Sequence, residues 1–175
     1  IRFGARLADL AIEAGAIRGV ILASGEQLRA DHVVLAPGHS ARDTYAMLAA
    51  RGVPMSPKAF QFGVRVEHPQ GLVNEVQFGP RHGRYEELLG NADYALIAHG
   101  ANDLFTFCMC AGGVVIPSVA EPGMFCTNGM SNSRHDTSFA NSGVMVTLEP
   151  GEFGSEHPLA GVELQRRFEA AAFEL

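Results

Sequence analysis

The 175-residue chain carries 47% hydrophobic and 18% charged residues, and 13 basic against 19 acidic side chains leave a net charge of −6. That apolar content excludes a disordered chain, the scattered glycines and prolines exclude collagen-like repetition, and no uninterrupted apolar run reaches the length of a membrane span. The acidic balance removes any general attraction for nucleic acid or anionic lipid. Three cysteines, an odd number, read as reduced thiols of a cytoplasmic protein.

The chain opens at Ile1 without a signal-peptide pattern and reads as an internal piece of a longer protein. From Arg2 to Gly15, the spacing of Phe3, Leu7, Leu10, Ala11 and Ala14 predicts a helix. Ala16–Ala23 and a short run from Gln27 to Ala30 predict strands about the Ser24-Gly25-Glu26 turn. Val33-Val34-Leu35-Ala36 has the continuous apolar character of a strand buried on both faces. Ser40 as N-cap, with Asp43 reaching back, predicts a helix that Gly52 closes. The stiff Val53-Pro54-Met55-Ser56-Pro57 connection then marks a boundary between residues 1–55 and 56–150.

Past that boundary the pattern turns to strand. Phe60, Phe62, Val64 and Val66 alternate with Arg65 and Glu67, and His68-Pro69-Gln70-Gly71 breaks the run. A short helix is expected at Tyr85–Leu89 and a strand at Ala92–His99. The uncharged stretch from Leu104 to Ala120 predicts a buried hairpin, Phe105–Cys110 and Val114–Ala120, joined by Ala111-Gly112-Gly113. Glu121-Pro122-Gly123 turns the chain into Met124–Thr127, a polar stretch from Asn128 to Asn141 precedes a strand at Val144–Leu148, and a last helix begins near Leu159 or Gly161 within a returning segment, 151–175.

Four strings carry a resemblance. Ala36-Pro37-Gly38-His39-Ser40-Ala41-Arg42-Asp43-Thr44 is the first and Gly63-Val64-Arg65-Val66-Glu67-His68-Pro69-Gln70 the second. Phe107-Cys108-Met109-Cys110 with Gly112-Gly113 is the third, and Thr127-Asn128-Gly129-Met130-Ser131 with Ala140-Asn141-Ser142 the fourth. In this order they resemble the motifs of a bacterial family of uncharacterised FAD-dependent (NAD-utilising) dehydrogenases. Pro37 stands where most flavoproteins of this kind carry Thr, so no hydroxyl acts there. Ala111 replaces the family's usual Pro.

The resemblance implies an α/β plus β-rich (α+β) fold: the tail of a Rossmann-like FAD domain, then an inserted antiparallel-sheet domain on the substrate side. It implies FAD in the longer parent, with NAD(P)H as co-substrate and a small organic molecule as substrate. Ala36, Pro37, Gly38, His39 and Ser40 are the expected cofactor-binding turn, because Gly38 lacks the Cβ that would keep backbone from a ligand. No Gly-x-Gly-x-x-Gly turn for pyrophosphate occurs in this chain, so the segment is expected to hold FAD weakly or not at all alone. The rival readings are a flavoprotein-derived binding or scaffold module and a flavin-dependent modification of a macromolecule.

Within this frame Arg65 is the candidate for holding an anionic substrate or negative charge on the flavin, and His68 for donating a proton; the alternative is a solvated strand face. Glu67, Asn128, Met130 and Ser131 are expected to meet substrate, as polar loops on a rigid sheet commonly do. Cys108 and Cys110, two apart on a strand, read either as redox or nucleophilic thiols or as small buried hydrophobes. No metal is expected, since Cys-x-Cys lacks common zinc spacing.

Overall fold

The computed structural model describes residues 1–119 and 121–175. Its fold is α+β, with four helices and sheets that are antiparallel throughout among the described residues.

The expected first helix is a strand. β1 (Leu7–Glu13) pairs with β2 (Ala16–Leu22), and β2 with β3 (Gln27–Arg29), in a three-stranded meander. Ala14 and Gly15, with φ of 50° and 76°, form the tight turn that joins the first two strands. Register shifts between Leu7 and Asp9 and between Ala11 and Ile12 break the two-residue alternation. The consecutive Leu10 and Ala11 are therefore both buried, and bulges of this kind imitate helical spacing in the sequence.

Val33-Val34-Leu35-Ala36 joins no ladder, and Val34 is 91% exposed. The apolar run is not sandwiched in a sheet, because no strand among the described residues pairs with it. Val33 and Leu35 instead line a groove of about 420 Å³ with Leu10, Ile12, Leu48 and Pro54.

Helix α1 (Arg42–Ala50) starts two residues past Ser40, with Ala41 at the N-cap and no side-chain cap. Ser40 contributes only its carbonyl, which accepts from Arg42 N, and the Asp43 carboxylate accepts from Thr44 N instead of reaching back. Gly52 (φ 69°) does close the helix, its N–H donating to Ala49 O and Val53 N to Leu48 O.

The second sheet has the order β4-β9-β6-β5: β4 (Phe60–Pro69), β9 (Phe139–Leu148), β6 (Leu104–Cys110) and β5 (Ile97–Ala98). β4 runs through His68, and α2 (Gln70–Phe78) follows at once where the sequence reads as a break. α3 (His82–Leu89) comes next. The buried Gln70 and Asn74 link these helices to the sheet: Gln70 Nε2 donates to Asn74 Oδ1 and Ala92 O, and Gly112 N donates to Gln70 Oε1. These amides use up the polar backbone around residue 92, and of the strand expected at Ala92–His99 only Ile97–Ala98 forms.

The expected hairpin is not one. β7 (Gly113–Ser118) leaves β6 for a separate ribbon with β8 (Cys126–Ser131). At the crossing Gly112 has φ 55°, and a Cβ there would collide with the His135 carbonyl. Any larger residue at 112 is thus doubly excluded. Ala120, the expected end of that strand, lies outside the described residues. The polar connection shrinks to residues 132–138, since β8 reaches Ser131 and β9 begins at Phe139.

Helix α4 (Ala160–Phe173) packs on one end of β4, where Phe60 meets Phe153 and Phe62 meets Phe168 at ring-centroid distances of 5.2 and 4.5 Å. It also holds α1: the buried Arg42 donates from Nη1 and Nη2 to Glu169 at 3.0 and 2.6 Å and to Gln165 at 3.3 Å. Val64 and Val66, on the same face as the two phenylalanines by alternation, are exposed.

Candidate functional site

Strand alternation sends Arg65 and Glu67 to one face of β4 and His68 to the other. His68 stacks beside Tyr94 with ring centroids 5.6 Å apart. Burial there raises the Tyr94 phenol above its ordinary value, with a bond to Ser142 acting the opposite way. The structure therefore separates His68 from Arg65, although three positions part them in sequence.

On the Arg65 face, β9 sets Gly143 opposite Arg65 and Asn141 opposite Glu67. β6 adds a bulge: Phe107 faces Gly143 but Cys110 faces Asn141, so three steps on β6 match two on β9. Cys108 in this bulge has φ 50°, a left-handed backbone rare for a residue with a Cβ. Its carbonyl accepts a hydrogen bond from Arg65 Nη1 at 3.1 Å. The same nitrogen donates to Asn141 Oδ1 at 2.5 Å and lies 4.0 Å from Cys110 Sγ.

The β7–β8 ribbon covers this cluster. Val115 N donates to Glu67 Oε2 at 2.8 Å, and Ser131 Oγ to Ala111 O at 2.7 Å. Gly129 faces inward, and a Cβ built on it would lie under 3.0 Å from Asn141 Oδ1, Arg65 Nη1 and Cys110 Sγ. Only a glycine lets the ribbon settle there. Asn128 and Met130, the neighbours of Gly129, are exposed on the outer side of the ribbon, and Asn128 Oδ1 is taken by Gly129 N. Of the expected substrate residues, Glu67 and Ser131 are thus in the cluster, while Asn128 and Met130 point away from it.

The sequence reading missed Asn141 and Gly129 as site residues. Both lie inside the fourth motif, but only the pairing of β9 with β4 and β6 shows that Asn141 orients Arg65. Arg65 has no carboxylate within ion-pair distance among the described residues. Arg2, Arg42, Arg51 and Arg166 each hold one.

The two thiols differ. Cys108 is exposed and Cys110 half-buried. Burial pushes the Cys110 thiol up, and the Cys108 thiol adds to this against the pull of Arg65. At neutral pH Cys110 is therefore protonated and a poor nucleophile. Iodoacetamide is expected to label the exposed Cys108 ahead of Cys110 at neutral pH; peptide mapping showing equal labelling would contradict this. Among the described residues no cluster of three or more His, Cys, Asp or Glu is placed to hold a metal.

The residues fit FAD in part. The turn at Ala36, Pro37, Gly38, His39 and Ser40 is exposed; Gly38 has φ 83°, and nothing lies within 4 Å of a Cβ built on it. That leaves backbone open to close approach by a ligand. Arg65, held by neutral oxygens, suits an anionic or electron-rich edge.

A sequence model of the family described as FAD-dependent protein, C-terminal domain-like, matches residues 59–175. Over 178 aligned residues, spanning all of this chain, it is 39% identical to an uncharacterised protein of Clostridium beijerinckii. The chain covers 33% of that protein, about a third of the length of the curated relative it matches. No helix among the described residues is long and apolar enough to cross a membrane.

Proposed function

The chain belongs to the FAD-dependent protein C-terminal domain-like family, and from that membership we propose that it is the substrate-side part of a FAD-dependent oxidoreductase. When bound, FAD supplies the two-electron chemistry, passing hydride equivalents between NAD(P)H and an organic substrate. The observation that carries this reading is Arg65: a half-buried cation fixed by Asn141 Oδ1 and Cys108 O, with no carboxylate to neutralise it among the described residues. A charge fixed in advance by neutral dipoles stabilises negative charge that develops in the transition state, without reorganising as it does so.

In this reading Asn141 sets the position of the guanidinium, Glu67 pins the ribbon through Val115 N, and the ribbon keeps water from Arg65. Cys110 is part of the floor rather than a nucleophile, and His68, on the opposite face, is outside the site. Ala36–Ser40 contributes backbone to the cofactor. The partner is a small molecule in the cytoplasm rather than nucleic acid or a membrane surface. The net charge of −6 and the pairing of Arg2, Arg42, Arg51, Arg134 and Arg166 with carboxylates support this.

The test is Arg65→Met in the full-length protein, which removes the cation and keeps most of the side-chain length. Turnover is expected to fall roughly ten- to a thousandfold with FAD retained. Unchanged kcat would remove Arg65 from the chemistry and favour the non-catalytic binding module.

A further inference from the structure

Arg65 has five N–H donors in a planar fork. Every bond it makes to the protein leaves from Nη1, to Asn141 Oδ1 and Cys108 O, with Cys110 Sγ at 4.0 Å. Neither Nε nor Nη2 has an acceptor within hydrogen-bond distance among the described residues. Two other arginines show what such an edge can do in this fold: Arg51 closes on both oxygens of Asp9 through Nε and Nη2, and Arg166 does the same on Glu121 at 3.2 and 3.0 Å.

A second, independent donor is unfilled on the residue that holds Nη1. Asn141 is 0% exposed, yet its Nδ2 has no hydrogen-bond partner among the described residues. Turning the amide over does not help, because a guanidinium carries only donors and Oδ1 must stay toward Arg65. A buried N–H left without an acceptor is destabilising. The structure keeps that cost beside an arginine that holds no carboxylate among the described residues.

We infer that the Nε–Nη2 edge of Arg65, left open while Nη1 is held by Asn141 and Cys108, takes a planar anion presenting two adjacent acceptor atoms, and that this anion is a carboxylate on the substrate. The inference rests on the proposed function for its setting and adds the substrate class. The same two-acceptor chemistry has another source in the anionic pyrimidine edge of a reduced flavin, which the experiment must separate from a carboxylate.

Isothermal titration of the full-length, FAD-loaded protein with benzoate and its neutral isostere benzamide provides the test. Benzoate is expected to bind and benzamide not. Arg65→Lys, which keeps the charge but loses the fork, should weaken benzoate roughly ten- to hundredfold. Arg65→Gln serves as the second variant if the lysine form melts early. If Arg65→Lys leaves benzoate binding unchanged, the carboxylate assignment is overturned. In that case a lowered flavin reduction potential in the FAD-loaded variant assigns the fork to the flavin edge, and an unchanged potential overturns the two-acceptor site altogether. Turnover is read separately. A variant that loses turnover but keeps benzoate affinity refutes the substrate class and leaves the oxidoreductase reading standing.

Discussion

Substituting alanine for Gly129 is expected to damage the site more than any other single methyl group added on the ribbon. The new Cβ would fall inside the space held by Asn141 Oδ1, Arg65 Nη1 and Cys110 Sγ. Gly129 does not have a positive φ, so the effect is steric and not a matter of backbone strain. Overpacking of this kind costs about 1–3 kcal/mol, and relief requires either lifting the ribbon off Glu67 or turning Arg65 away from Asn141. Either route should lower turnover of the full-length protein along with its melting temperature. Gly71→Ala is the control: it lies in α2 with nothing within 4 Å of a built Cβ, and better helix propensity should raise stability by up to about 1 kcal/mol. A Gly129→Ala protein with wild-type melting and turnover would show that the ribbon is not seated on Arg65.

The largest loss of stability is expected from Arg42→Leu. Arg42 is 6% exposed and forks onto Glu169, with Glu121 at 3.7 Å. Removing one member of a buried pair strands the other, which costs about 3–5 kcal/mol. Glu169 retains some exposure, so the lower end applies, and a loss of about 3 kcal/mol corresponds to a melting shift of about 6–12 °C for a chain of this size. The same cluster makes stability depend on pH. Arg166 holds the Glu121 carboxyl below its ordinary value of 4.5, chiefly through their hydrogen bonds, with Arg42 assisting. A depressed folded-state value means the contribution is complete above pH 4.5 and is lost as pH falls through the lower folded value. Melting curves of Glu121→Gln should therefore approach those of the native protein in acid and separate from them toward neutrality. A gap that stays constant over this range would count against the ion pair.

How much of this was legible before folding differs from element to element. Alternation along residues 60–67 is a local property, and β4 forms there with Phe60 and Phe62 against α4. The last helix, expected to begin near Leu159 or Gly161, likewise forms as α4. Gly52 ended α1 because only its immediate neighbours had to be satisfied. The period of the apolar residues failed where bulges disturb it, as in β1, and where polar side chains do the buried work, as Gln70 and Asn74 do in α2.

Which residues could carry charge, bend backbone or admit a ligand was written in the chain itself: Arg65, Gly38, the Gly112-Gly113 pair and the uncharged run around Cys108 and Cys110 all stand out by type and order. Which of them meet was decided by folding. β6 pairs with β9 rather than with β7, and this non-local choice puts the Cys108 carbonyl and Asn141 on the same nitrogen of Arg65 while leaving His68 on the far face. Periodicity assigns a side chain to a face of its strand, but any strand edge presents the same backbone donors and acceptors to every neighbour. Partner and register are therefore selected by the packing of the whole sheet.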